Sequence, residues 1–246
     1  MAKAIDLIAQ KEIDKIVISR KQSIGFEDFN PFNAVLKLMR AYDQSFVYLW
    51  HHPKIGSWMG ATPELLAGYQ KPFLKTMALA GTLPVNSDEP VAWHIKEIKE
   101  QQIVTDYIIS QLEKETKSLK IGLPETIYQG QLAHIKTTIE AELPNSQTLS
   151  RLILKLHPTP AVCGLPQDKA KYFIDQIETY DREYYTGFLG YHSQNRSTFY
   201  VNLRSMKLLA HQLELFIGGG IVADSNPNQE WQETLIKSEV LLSIIK

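Results

Sequence analysis

The sequence is nearly devoid of cysteine: Cys163 stands alone among 246 residues. An intramolecular disulfide framework and a cysteine-built zinc cluster are therefore excluded. A charge excess is also missing, since 26 Lys+Arg face 27 Asp+Glu for a formal net charge of −1. No basic field is available to gather nucleic acid or anionic lipid, so neither is an expected partner. No stretch approaches the roughly 18 apolar residues of a membrane span. Met1–Gln10 carries Lys3, Asp6 and Gln10 and lacks the apolar centre of a signal peptide. Internal repeats and low-complexity segments are absent. What is present is a 44% hydrophobic chain long enough to bury a core without a staple. One domain over 1–246 is expected, in a soluble cytoplasmic protein.

Hydrophobic periodicity divides the chain. Ile5, Ile8, Ala9 and Ile13 suggest a short amphipathic helix. The β-branched run KIVISR at Lys15–Arg20 reads as a strand, followed by strands at Phe46–His51, Ser57–Tyr69 and Phe73–Ala80. From Pro90 a long helix is expected over about Val91–Lys117, then a strand at Thr126–Thr138. Helices are expected at Ser146–Leu156 and Gln167–Glu178, with Ser146 and Asp168 as possible caps. Tyr184–His192, Thr198–Lys207 and Leu213–Ile217 read as strands, and a helix from about Gln229 to Ile244 ends the chain. Strands gather at both ends and helices in the middle. That is an α+β pattern of antiparallel sheet layers with helices packed outside.

Two acidic pairs share a helical spacing of three: Glu97 with Glu100, and Glu230 with Glu233. Hard oxygen donors of this kind suit Mg²⁺, though from spacing alone a solvated helix face is the favoured reading. Lys237 follows Glu233 by four and could pair with it. The triplet Gly218-Gly219-Gly220 is either a close backbone approach to an anion or a turn or bulge. Lys15, if it points inward, has its neutral amine favoured by desolvation and becomes a candidate base; facing water, it is an ordinary edge-strand lysine. Glu64 sits in an apolar setting beside Pro63 and Leu65-Leu66, where a buried carboxyl could serve as an acid. Arg204 lies in the strand YVNLRSM and needs an anionic partner, either a substrate or a structural carboxylate. His134, His157 and Cys163 read first as structural residues.

A resemblance adds to this reading. GATPELL at Gly60–Leu66, ALAGT at Ala78–Thr82, HPTPAVCGLP at His157–Pro166, REYYTGFLGY at Arg182–Tyr191, and GGGIVADSNPNQEWQET at Gly218–Thr234 with Lys237 together resemble the chorismate-binding enzymes. That family contains isochorismate, salicylate, anthranilate and aminodeoxychorismate synthases. The motifs keep the family's order and cover nearly the whole chain. The resemblance implies chorismate as substrate and Mg²⁺ as cofactor. It makes Lys15 the base and Glu64 the acid that protonates the departing C4 hydroxyl. It makes Glu100 and Glu233 the main metal ligands, with Glu97 and Glu230 beside them. Tyr185, Arg204 and the backbone of Gly218–Gly220 match groups that hold the substrate carboxylates. Thr82 and His134 match the lining of the ring pocket, and Lys237 matches a lysine near the metal.

Within the family, the chain resembles the isochorismate synthases most. Ala80 stands where aminodeoxychorismate synthases carry a lysine nucleophile. Ala161 stands where anthranilate and salicylate enzymes often have Thr, and Leu65 completes a PEL triplet. The implied reaction is water attack at C2 with loss of the C4 hydroxyl. Salicylate synthase is the rival, and an inactive chorismate-binding module is a reading of another class. Two departures stand out: Glu100-Gln101 replaces the family's Glu-His, and Glu183 follows Arg182 where a Gly is usual. The family's N-terminal segment is expected to be lacking. A monomer is expected, and a place in either menaquinone or siderophore synthesis, with menaquinone preferred.

Overall fold

The computed structural model describes residues 1–85 and 90–245. In chain order the elements begin with α1 (Ala2–Ala9), β1 (Lys15–Gly25), α2 (Pro31–Ala41), β2 (Phe46–His52), β3 (Gly56–Thr62), β4 (Leu65–Gln70) and β5 (Phe73–Pro84). There follow α3 (Ile95–Leu112), β6 (Ser118–Ile121), β7 (Glu125–Gln129), β8 (Leu132–Glu142), α4 (Gln147–Leu156), β9 (Gly164–Leu165) and α5 (Gln167–Ile177). The chain closes with β10 (Phe188–His192), β11 (Arg196–Val201), β12 (Ser205–Leu208), β13 (Gln212–Ile221) and α6 (Pro227–Ile245).

The strands form two antiparallel sheets. One runs β2-β3-β12-β13-β1-β9, the other β10-β11-β4-β5-β8-β6, with β7 also pairing to β8. α2 and α6 cover the first sheet through Leu38, Leu241 and Ile244 against Met59, Met206 and Leu215. α3 and α4 cover the second through Val104, Ile108, Leu152 and Leu156 against Leu74, Ala78 and Ile139. The expected α+β layering is present. Buried apolar side chains on the helix faces explain it, because each sheet buries the side of its strands that meets a helix.

Two of the chain's passages between the sheets, β3 to β4 and β11 to β12, replace a strand expected to be continuous. Ser57–Tyr69 is broken at Pro63-Glu64, where β3 leaves for β4: proline donates no ladder hydrogen bond and ends the pairing. Thr198–Lys207 is broken at Asn202–Arg204, where β11 gives way to β12 and Arg204 takes φ 48. The two passages are stitched together, with Val201 N–H donating to Glu64 O at 2.9 Å and Ala61 N–H to Arg204 O at 3.1 Å.

Other expectations shift. Thr126–Thr138 is a hairpin of β7 and β8 turning at Gly130, whose φ is +57. The helix expected from Val91 begins at Ile95 and ends at Leu112, leaving Ser118–Ile121 to pair with β8. Tyr184 and Tyr185 lie in a turn instead of a strand, because Glu183 and Thr186 take φ 49 and 62. Glu183 thus holds a left-handed backbone that glycine adopts more readily. Ser146 is the N-cap residue of α4 but makes no capping bond; Asn145 Oδ1 accepts from Thr148 N–H instead. Asp168 lies in the first turn of α5, after an N-cap of Pro166. Helix α2, with Asn30 capping Phe32 and Asn33 and Pro31 at its start, has no counterpart among the expected elements.

Candidate active site

Gly218-Gly219-Gly220 forms the end of β13, as expected, and pairs regularly with Ser19, Ile18 and Val17 of β1 without the alternative turn or bulge. Side chains are missing there because other groups fill the space. A Cβ on Gly220 would stand 2.2 Å from Glu100 Oε1 and 3.1 Å from Lys15 Cε. One on Gly218 would stand 2.7 Å from the Tyr185 hydroxyl. Gly219 opens toward Glu230 and Glu233, each with an oxygen 4.0 Å from its Cβ position.

A cavity opens beside these glycines. Its wall includes Glu64, Thr82, Glu100, His134, Ala161, Tyr185, Arg204, Gly218, Gly220 and Lys237. Most residues expected to touch substrate therefore share one chamber. The β3–β4 and β11–β12 passages both reach it, one with Glu64 and one with Arg204.

Lys15 opens β1 and is fully buried just behind this wall. Its Nζ is 3.0 Å from Glu100 Oε1, an ion pair whose angle misses hydrogen-bond geometry, so the amine has no formed hydrogen bond. Burial works against the Glu100 charge, but Lys15 and then Lys96 outweigh it and hold that carboxyl below its ordinary value. Glu64 is in the opposite situation. Burial pushes its carboxyl up to about 8, against weaker downward pulls from Lys15, Thr159 and Lys237. It is 3% exposed, so an acid protonated at neutral pH sits on the cavity wall.

Arg204 donates from Nη2 to His134 Nε2 at 3.1 Å. Burial, then Arg204 and Lys237, pull His134 well below its ordinary value, so the ring is neutral. Tyr185 stacks on Phe216 at 5.6 Å between centroids, and burial pushes its hydroxyl up. Lys237 donates to Gly218 O at 3.2 Å and to Glu233 Oε1 at 2.5 Å, which is the pairing its spacing suggested. His157 and Cys163 stay structural: His157 meets Phe188 edge-on, and burial raises the Cys163 thiol. Gln101, the departure from Glu-His, donates from Nε2 to Thr105 Oγ1 and Thr137 Oγ1, both at 2.8 Å.

The four acids approach from α3 and α6. Glu97 and Glu233 line a neighbouring cavity with Lys96, while Glu230 is 1% exposed. Burial, then repulsion from Glu233, raises the Glu230 carboxyl. Among the described residues no three acids close into a metal-holding group. Lysine ammonium groups stand between them, Lys96 Nζ lying 2.6 Å from Glu230 Oε1 and 3.6 Å from Glu97 Oε1. The donor set nevertheless fits a hard divalent cation. Glu97 Oε2 and Glu230 Oε2 are buried with no hydrogen-bond partner, and carboxylate oxygens are what Mg²⁺ takes. Lys96 is the residue that sequence reasoning missed. Its signal was its place directly before Glu97.

Comparison with known proteins identifies the family. The family model described as chorismate binding enzyme matches residues 1–246. Isochorismate synthase MenF of Escherichia coli (strain K12) is 32% identical over 255 residues, covering 99% of this chain and 58% of the relative. Isochorismate synthase EntC of the same organism is 30% identical over 256 residues, covering 99% and 65%. The solved structure of MenF, the menaquinone-specific isochorismate synthase from Escherichia coli, matches with a TM-score of 0.87 at 30% identity, over 99% of this chain and 59% of that one. The chain spans 58% and 65% of the length of the two curated relatives. No helix among the described residues is long and apolar enough to cross a membrane. With a family match that runs from the first residue to the last, the chain belongs to the chorismate-binding enzymes.

Proposed function

We propose that the chain is an isochorismate synthase, converting chorismate to isochorismate. The observation that carries this reading is Glu64: a buried carboxyl held protonated near neutrality, on the wall of a chamber that also holds Arg204 and Lys237. A dianionic ring acid needs compensating positive charge, and those two side chains supply it beside the Tyr185 hydroxyl. Lys15, ion-paired with Glu100 at 3.0 Å, must first give up its ammonium proton; as the free amine it then takes a proton from the attacking water. The water oxygen bonds to C2, the ring double bonds shift, and the C4–O bond breaks. Glu64 gives its proton to the leaving oxygen, which departs as water. One water enters and one leaves, so atoms balance.

Mg²⁺ would be held by Glu100 and Glu233 with Glu97 and Glu230 beside them; when bound, it compensates the ring carboxylate and withdraws electron density from the adjacent alkene. A solved structure named as a menaquinone-specific isochorismate synthase supports that pathway as the setting; a cytoplasmic monomer completes the proposal. The test is incubation of purified protein with chorismate and Mg²⁺, with products separated by chromatography. Isochorismate alone is expected. Salicylate with pyruvate would identify a salicylate synthase, and binding without turnover would identify a binding module.

A further inference from the structure

The acids on α3 and α6 would repel one another if nothing positive stood among them. Lys96, in the first turn of α3, occupies that place. Its Nζ reaches Glu230 Oε1 at 2.6 Å and Glu97 Oε1 at 3.6 Å, and the Glu230 side chain is 2% exposed. Burial alone would drive Lys96 toward the neutral amine, but Glu230, Glu100 and Glu233 outweigh it and hold the ammonium more firmly than usual. One cation therefore interacts with all four acids. The bond to Glu230 is poorly aligned: both Glu230 oxygens lack a formed hydrogen bond, as does Glu97 Oε2. Close contact without directed bonding is what a point charge gives, and lysine is a compact, flexible point charge.

We infer that Lys96 is a built-in counter-ion for these acids, and that its ammonium competes with a divalent cation for Glu97 and Glu230. The inference rests on the magnesium reading above. Both cations need the same carboxylate oxygens, and two positive charges a few ångströms apart repel strongly where water is scarce. Lys96 also has somewhere to go. The neighbouring cavity that it lines carries the amide side chains of Asn228, Gln229 and Gln232. Swinging its four-carbon stem that way would release both acids while keeping hydrogen-bond acceptors within reach.

The test uses Mn²⁺ as the probe, with no substrate present. Free Mn²⁺ is followed by electron paramagnetic resonance during titration of the wild-type chain, K96M and K96Q, each checked for folding by circular dichroism. Both variants are expected to bind Mn²⁺ at least ~10-fold more tightly than wild type. Without metal they should melt at lower temperature, because Glu230 loses its neighbour, and Mn²⁺ should restore the difference. Folded K96M and K96Q with unchanged or weaker Mn²⁺ affinity would overturn the counter-ion role while leaving the metal site standing. If wild type and both variants all fail to take up Mn²⁺, the magnesium reading falls and the competition falls with it.

Discussion

Nη2 of Arg204 and Nε2 of His134 are 3.1 Å apart. A guanidinium only donates, so Nε2 must accept, and the ring proton belongs on Nδ1. There the Gly81 carbonyl lies at 3.3 Å and the Thr82 hydroxyl at 3.2 Å. Gly81 is the residue at which β5 slips register against β8, with φ +74. A bulge in one sheet thus fixes the tautomer of His134, and His134 aims an arginine delivered by the passage between sheets. Removing the ring in H134A should free Arg204 to rotate. A hydrogen bond to a charged group contributes about 1.5–3 kcal/mol, or roughly 10- to 100-fold. Chorismate affinity is expected to fall by that factor, more than kcat does, and binding and turnover measured separately would reveal it. A kcat loss with unchanged affinity would show that His134 acts on the reacting atoms.

The raised Glu64 carboxyl gives a pH dependence with a definite sign. As an acid it must hold its proton, so kcat/KM should fall as pH rises through about 8. E64Q should have little activity at any pH and no such descent. Stability moves with the same proton. Its folded value lies above the ordinary 4.5, so its contribution is fully present below 4.5 and is lost as pH climbs through about 8. E64Q cannot ionise and should therefore melt higher than wild type at pH 9 and close to it at pH 5. The gap should be at most a few kcal/mol, because each tenfold change in proton affinity between the folded and unfolded chain is worth ~1.4 kcal/mol. Melting curves of both proteins at the two pH values decide it.

How far these relationships could be read in advance depended on whether local chemistry or tertiary context set them. KIVISR and the PEL motif carry their own signal, and both lead to residues on or behind the cavity wall. Three glycines in a row read as a strand end, because nothing local shows that Glu100 and Tyr185 will fill the space above Gly220 and Gly218. Arg204 and Tyr185 were expected in continuous strands. The left-handed residues that break those strands, Arg204 itself and Glu183 with Thr186, are types that rarely take such a backbone, so propensity argued the other way. Lys96 went unread, because beyond its place before Glu97 nothing local sets it apart from the other charges of α3. Its role depends on α6, 134 residues later in the chain, bringing Glu230 to it. α2 was missed although a local signal was there, since Asn before Pro is a strong helix start.

Lys15 offers a sharper separation of roles. K15M keeps the apolar stem and removes the amine. Turnover should fall by ~10²–10⁴-fold, the usual contribution of a positioned general base. Chorismate binding should change far less, because Arg204 and Lys237 stay on the cavity wall. The variant also leaves buried Glu100 without its nearest cation, so it should melt lower than wild type. K15M/E100Q should recover that stability and remain inactive. Equal losses of binding and turnover in a folded K15M would make Lys15 a binding residue.

The glycine triplet predicts an ordering among three alanine substitutions. Alternate residues of a strand face opposite ways, and here the two sides differ in free space. A methyl at Gly219 meets nothing nearer than Thr234 Cγ2 at 3.8 Å, an ordinary contact. G219A should therefore fold and turn over within a few-fold of wild type. G218A puts carbon 2.7 Å from the Tyr185 hydroxyl, which must move away from the cavity. G220A puts it 2.2 Å from Glu100 Oε1 and 3.1 Å from Lys15 Cε, wedging apart a buried ion pair. Overpacking of this kind typically costs about 1–3 kcal/mol. Activity is expected to fall in the order G219A, G218A, G220A, with G220A also melting lowest. Steady-state rates and melting temperatures of the three variants check it. An inactive G219A beside an active G220A would place the reacting groups on the other side of β13.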